Sequence, residues 1–282
     1  LNLYSKNTKV IFMNPNKSLV TFNRRVLKKF INLEVFCTAS TGTIHIDLLT
    51  AEELGIKVIT IKNHIKTLKK IPSTAELAFA LTLDGLRQIT KSYNDALKYS
   101  SWDFEKYIGK QIKDLKVGVI GYGRLGTIYS KMMKNSGADL YLLDPRISFD
   151  FKKEIQKFLS NAFQLDVISL HIHAEGNENF INRKFFNSLA KDVVIINTSR
   201  GEIVNHSDLF MFLDKNPHAT YCSDVLPEES NSSIREYYMK EFAMRSNVII
   251  TQHIGGMSTG ARNTAFGLAC NLLLDKYGLT NG

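Results

Sequence analysis

The chain has 282 residues, enough for about two domains of ordinary size, and its 44% hydrophobic and 22% charged content excludes a fibrous or wholly disordered protein. No apolar run reaches the roughly 18 residues that a membrane-crossing helix takes, so no membrane association is expected. Lys and Arg outnumber Asp and Glu by 36 to 27, a net charge of +9. The basic residues are scattered apart from Arg24-Arg25, Lys28-Lys29 and Lys69-Lys70. A solvated surface, whose positive field would also suit a small anionic substrate, is therefore expected in preference to a nucleic-acid groove.

Apolar runs alternate with helical patterns from the start. Residues 10–13 read as a strand, 24–31 as a helix, 33–37 as a strand leading into the small-residue loop 38–42, 45–54 as a helix and 57–60 as a strand. That alternation predicts parallel βαβ units. Pro72 breaks the series. Ser73-Thr74-Ala75-Glu76 then reads as a capping box, with hydroxyl and carboxylate satisfying each other's end amides, at the head of a helix running to about residue 97. Leu77, Ala80, Leu81, Leu83 and Leu86 cover more than one face of it, which leaves open whether its own chain or a partner subunit covers the second. After a linker containing Trp102, strands are expected at 116–120, 139–143, 167–170, 193–196, 220–224 and 248–251, with helices between them and a last helix over 258–277. The fold class is α/β: two doubly wound parallel-sheet domains, Rossmann-like or flavodoxin-like, with a cleft between them. Residues 1–71 plus 257–282 make one domain and 72–256 the other. Cys37, Cys222 and Cys270 show neither CxxC nor metal-ligand spacing, so reduced thiols, a cytoplasmic protein and no metal are expected. The polar first residues hold no signal-peptide core.

The strongest local signal is Gly121-Tyr122-Gly123-Arg124-Leu125-Gly126, which follows an apolar strand and opens a helical pattern. That context is what a dinucleotide-binding loop requires: Gly121 for the tight turn, Gly123 for close approach of a pyrophosphate, Gly126 for helix–strand packing. The helix end offers amides and a positive dipole to the phosphates. Asp144, 18 residues past Gly126, ends the next strand and can accept both ribose hydroxyls, which predicts NAD as cofactor in preference to NADP; Arg146 stands close enough to blur that preference.

Three more segments fall at the carboxyl ends of predicted strands: Asn197-Thr198-Ser199-Arg200-Gly201, the run from Ser223 to Glu229, and Thr251-Gln252-His253-Ile254-Gly255-Gly256. Singly each is bland. Together they make chemical sense, because Arg200 can bind a carboxylate and polarise a carbonyl, His253 can give or take a proton near neutral pH, and a Glu beside it would favour the protonated ring. Either Glu228 or Glu229 fits; the spacing to Arg200 and Asp224 favours Glu229.

These motifs, in this order, resemble the D-isomer-specific 2-hydroxyacid dehydrogenases, the family of phosphoglycerate dehydrogenase, glycerate and hydroxypyruvate reductases and D-lactate dehydrogenase, over about residues 10–269. The resemblance implies hydride transfer between NAD and a small 2-oxo or 2-hydroxy acid, phosphoglycerate-like or glycerate-like. It implies Arg200 on the substrate, His253 as general acid/base paired with Glu229, and Asp224 on the nicotinamide carboxamide. Thr198 and Gly255 would join the glycine loop and Asp144 around the cofactor, and the backbone of Ser40, Thr41 and Gly42 would take the substrate carboxylate. The helix after Pro72 resembles the family's dimer helix, so a homodimer is expected. The alternative on the same fold is an NAD(H)-binding scaffold for regulatory partners, which would bind NADH without turning over 2-oxo acids. Three departures stand out. His173 occupies a position that is usually Pro, Ser230 follows Glu229 where Pro is usual, and nothing matches the βαβ unit with which the family's substrate domain opens, so that domain is expected to lack its first strands. Asn14-Pro15-Asn16-Lys17 is a candidate loop facing the cleft, with Lys17 able to meet a phosphate or second carboxylate.

Overall fold

The structure is a computed structural model that describes residues 5–13, 20–43, 45–100, 102–147 and 149–279. The chain divides into two compact units, Leu1–Ile71 with Gly256–Gly282 and Pro72–Gly255.

The smaller unit is built on a parallel sheet of β1 (Val10–Met13), β2 (Val35–Thr38) and β3 (Lys57–Thr60), in that order. Central β2 is buried on both faces, as parallel strands covered from two sides are. Alternation along it splits the core: Phe36 packs with Phe22, Leu27 and Phe30, while Val35 and Cys37 pack with Ala269 of the C-terminal helix Thr259–Lys276. The connecting helices are shorter than expected. α1 (Arg24–Leu27) gives way to i→i−3 bonds, Lys29 N to Val26 O and Phe30 N to Leu27 O. α2 (Leu48–Glu53) starts three residues late because Asp47 is its cap and accepts from Thr50 N at 2.9 Å. A single turn, α3 (Ile65–Leu68), follows β3.

The larger unit opens with α4 (Ser73–Arg87) and α5 (Ile89–Tyr99). Its parallel sheet comprises β4 (Lys116–Ile120), β5 (Asp139–Leu143), β6 (Val167–Leu170), β7 (Val194–Asn197), β8 (Thr220–Ser223) and β9 (Val248–Ile250), in the order β5-β4-β6-β7-β8-β9. The order reverses at β4, the switch point where doubly wound sheets take their ligands. α6 (Arg124–Asn135) and α4 cover one face, through Ala78, Leu81, Tyr129 and Met133 on Val117, Val119, Val194 and Ile196. The other face is covered by α7 (Phe151–Asn161), α8 (Arg183–Phe186), α9 (His206–Lys215) and α10 (Ser232–Ala243), through Phe158, Phe186, Phe210 and Phe242. Every expected strand is present, its ends shifted by at most two residues. No helix among the described residues is long and apolar enough to cross a membrane.

Two expectations fail around α4. Ser73 is not a capping residue: its hydroxyl donates to Gly255 O at 2.7 Å, and the helix has no side-chain cap. The long helix is two helices, because Gln88 takes a left-handed conformation, φ 50° and ψ 43°. The hydrogen bonds show why. In a continuous helix Thr90 N would donate to Leu86 O; here Asp84 takes Thr90 N at 2.9 Å and Lys110 N donates to Leu86 O at 3.3 Å. The apolar face of α4 is covered by its own sheet, where a β-carbon on Gly85 would stand 2.5 Å from Val194. The exposed apolar surface lies instead on Ile89, Tyr93, Leu97, Trp102, Phe104 and Ile108.

His206, at the start of α9, is packed among Phe210, Tyr221, Tyr238 and Phe242, with no hydrogen-bond partner for Nε2. Burial pushes its pKa down from 6.5 to about 4. The unfolded chain takes up this proton near the ordinary value and the folded chain only near 4. Stability is therefore full above about pH 6.5 and falls as pH drops towards 4, by up to about 1.4 kcal/mol per pH unit. Urea unfolding of His206→Phe should show a shallower pH dependence across that window than the wild type.

Candidate functional site

The glycine loop leaves β4 in the geometry its sequence implies. Gly121 has φ +93°, and a β-carbon there would stand 2.5 Å from His171 O; one on Gly126 would stand 2.0 Å from Gly121 O. Only glycine fits either position. Gly123 precedes α6 and no side chain caps that helix end, whose positive dipole end suits a phosphate. Thr198, just past β7, is buried with its Oγ1 unpartnered, a polar atom placed for a ligand. These features fit a dinucleotide.

Asp144, at the end of β5, is 3% exposed. It accepts Tyr122 N at 2.6 Å, and Arg146 through its backbone N at 2.8 Å, Nε at 2.9 Å and Nη2 at 2.6 Å. The Arg146 hydrogen bond holds its carboxyl down at about 2, against the opposing effect of burial.

The remaining residues gather at the same end of the sheet. Asn197 shapes the turn after β7, accepting Ser199 N at 3.0 Å and donating to Arg200 O at 2.9 Å. A β-carbon on Gly201 would collide with the Leu226–Pro227 backbone, so the chain passes close to that segment here. Arg200 is half-buried, its Nη1 donating to Ser199 O. Asp224 is 1% exposed and accepts Thr251 Oγ1 at 2.5 Å, Ile254 N at 2.8 Å and Gly255 N at 2.7 Å. Between those donors His253 is held at φ +53°, unusual for a residue with a β-carbon. The carboxylate that reaches it is Glu229's, Oε1 to Nδ1 at 2.5 Å; Glu228, with φ +44°, turns away and donates its amide to Glu202.

Burial alone would push the His253 pKa down. The Glu229 hydrogen bond and charge, with Asp224, outweigh both burial and the opposing charge of Arg200, and the ring ends above its ordinary value. Nδ1 is committed to Glu229, which leaves Nε2 as the proton-exchanging nitrogen.

In the smaller unit, residues 40–42 follow β2. His45 Nε2 lies 3.1 Å from Thr38 Oγ1, which lies 3.0 Å from Ser40 Oγ, which donates to Gly42 O at 2.7 Å. This chain of hydrogen bonds holds the loop that carries Thr41. Thr38 and His45 carry no functional signal in the sequence, where Ser73 reads only as a helix cap and Thr251 only as the start of the segment around His253; single polar residues at strand ends carry no spacing signal. His173 is exposed past β6, and Asn14 to Lys17 lie outside the described residues. No metal-holding group of His, Cys, Asp or Glu occurs among the described residues.

Comparison with known proteins gives the family. The family described as "D-isomer specific 2-hydroxyacid dehydrogenase, NAD binding domain" matches residues 79–255. The chain belongs to the D-isomer-specific 2-hydroxyacid dehydrogenases. It is 29% identical to human glyoxylate reductase/hydroxypyruvate reductase over 86% of this chain and 74% of that protein. It is 27% identical to D-3-phosphoglycerate dehydrogenase of Haemophilus influenzae over 86% of this chain and 57% of that protein. D-lactate dehydrogenase of Aquifex aeolicus, solved with NAD and lactic acid, shares the fold at TM-score 0.79 and 22% identity, over 99% of this chain and 86% of that one. As a member of this dehydrogenase family the protein is an oxidoreductase acting on a CH–OH group, with NAD as cofactor.

The electrostatics of the pair can be read directly. By NMR, His253 should titrate above the usual histidine range in the wild type. In Glu229→Gln, with burial no longer opposed by that carboxylate, it should titrate below the wild-type value; an unchanged titration would contradict the pairing.

Proposed function

We propose that this chain reduces a small anionic 2-oxo acid to the D-2-hydroxy acid, or runs the reverse reaction, with a preference for acids of phosphoglycerate or glycerate type. The observation that carries the reading is the Glu229–His253 pair under the charge of Arg200, at the same sheet end as the glycine loop. When bound, the nicotinamide supplies or accepts the hydride. Arg200 binds the substrate carboxylate and polarises the carbonyl beside it. His253 gives the carbonyl oxygen its proton from Nε2 and takes it back in the reverse direction, while Glu229 fixes the ring and favours its protonated form. The loop at Ser40, Thr41 and Gly42 offers backbone amides to the carboxylate. Thr198, Gly255 and the glycine loop hold the cofactor, with Asp144 at the adenine-ribose end, and Asp224 faces its carboxamide with the acceptor capacity that the 251–255 loop leaves it.

Charge distribution supports an anionic substrate. The unit of Leu1–Ile71 and Gly256–Gly282 carries 14 Lys and Arg against 5 Asp and Glu, whereas Pro72–Gly255 carries 22 of each. The whole net charge of +9 therefore sits on the unit proposed to bind substrate. A homodimer is supported by the exposed apolar surface running from Ile89 to Ile108, with the contact moved from α4 to α5 and the segment after it. Three free thiols, two of them buried, fit a cytoplasmic location.

NADH oxidation against phosphohydroxypyruvate, hydroxypyruvate, glyoxylate, pyruvate and 2-oxoglutarate tests the reading. One acid should be strongly preferred, and His253→Ala should lose about 10²- to 10⁴-fold in turnover with NADH affinity unchanged. A loss below about tenfold would remove His253 from the acid–base role. If the charge of the smaller unit steers substrate, kcat/KM should fall with added salt, more steeply for phosphohydroxypyruvate than for glyoxylate. Equal slopes would rule out steering.

A further inference from the structure

We propose that Arg146 lets this chain take a dinucleotide bearing a phosphate on its adenine ribose about as well as one bearing two free hydroxyls; the inference rests on the dinucleotide reading of the glycine loop. Asp144 at the end of β5 reads from sequence as the acceptor of both ribose hydroxyls, and so as a barrier to the phosphate. The geometry removes both halves of that expectation. A carboxylate offers about four acceptor positions. Asp144 already takes four N–H donors: Arg146 N and Nε on Oδ1, Tyr122 N and Arg146 Nη2 on Oδ2. A ribose diol meets a filled acceptor there, and the negative charge that would repel a phosphate is matched by a guanidinium 2.6 Å away.

What this end of the loop presents is a donor. A guanidinium has five N–H groups, and only those of Nε and one on Nη2 are committed to Asp144. The side chain is 65% exposed, and its Nη2 lies 3.4 Å from where a β-carbon on Gly123 would stand. The fork thus hangs over the second glycine of the loop, held flat by Asp144, with its remaining donors in the geometry that matches phosphate oxygens. Asp144 acts here as the positioning residue for Arg146. The diol form still binds, because the pyrophosphate contacts at α6 are common to both dinucleotides and a pair with one partner so exposed opens easily.

Calorimetric titration with NADH and with NADPH, without any acid substrate, tests this apart from turnover. The wild type should bind the two within about tenfold of each other, a difference of about 1.4 kcal/mol. Arg146→Ala should weaken NADPH at least about tenfold and leave NADH unchanged or tighter, and Arg146→Lys, with a charge but no fork, should fall between. Added salt should weaken NADPH binding more than NADH binding. NADPH binding more than about tenfold weaker than NADH in the wild type, or an Arg146→Ala variant that loses both alike, would overturn the proposal. Arg146→Gln, which keeps most of the stem, serves if the alanine variant does not fold. Failure of NADH to bind any of these proteins would instead overturn the dinucleotide reading itself.

Discussion

The buried carboxylate of Asp224 is the constraint on which the candidate site depends. It sits at the end of β8 and gathers three donors from the next strand's loop, Thr251 Oγ1, Ile254 N and Gly255 N. Those donors bracket His253, which is held at φ +53°. A left-handed residue with a β-carbon costs about 1–2 kcal/mol. Hydrogen bonds to a charged group contribute about 1.5–3 kcal/mol each, so three of them outweigh the strain. Without that grip the loop would relax to an ordinary conformation and carry the imidazole away from Glu229. The same loop is tied from the other side, where Ser73 donates to Gly255 O. The start of α4 therefore also registers the histidine, although it contributes nothing chemical.

A parallel sheet makes such a site economical to assemble. Because all six strands of the larger unit run the same way, their carboxyl ends lie along one edge. Gly121 follows β4, Asp144 follows β5, Thr198 and Arg200 follow β7, Asp224 follows β8 and His253 follows β9. Four of the strands deliver one or two polar groups each, and the apolar strand bodies fix their spacing. This division of labour also sets the pKa of His253: the packed surroundings oppose its charge, and a carboxylate from a different strand end restores it.

Much of this was legible in the sequence because it depends on residue type at fixed spacing. Buried parallel strands read as apolar runs, and all nine expected strands are present among the described residues. Gly121 and Gly126 of the phosphate loop are demanded by contacts as short as 2.0 Å, so their spacing carries real structural information. The helix break at Gln88 was not legible. It arises from a competition for backbone groups, with Asp84 taking Thr90 N and the distant Lys110 taking Leu86 O. The capping box at Ser73 failed for the same kind of reason, since the hydroxyl found a better acceptor 182 residues away. The choice between Glu228 and Glu229 turned on backbone conformation, with the positive φ of Glu228 directing the next carboxylate to His253. Local pattern predicts what a segment can do; which hydrogen bond wins is decided by partners remote in sequence.

The two units treat negative charge by different physics. Pro72–Gly255 is electrically balanced at 22 against 22, so whatever draws a dinucleotide there is local: the positive end of α6 and the polar groups at the carboxyl ends of the strands. Such contacts act over a few ångströms and depend on exact placement. The smaller unit has 14 basic residues against 5 acidic, and most of those side chains are exposed. A spread excess of this kind raises the local concentration of anions without orienting them, and at physiological ionic strength it is screened beyond about 8 Å. Orientation would then fall to fixed donors, the part proposed for the hydrogen-bonded loop at Ser40 to Gly42. On the proposed reading attraction and orientation are separable: changing distant lysines should alter how fast an acid arrives, and changing the loop should alter how it is held.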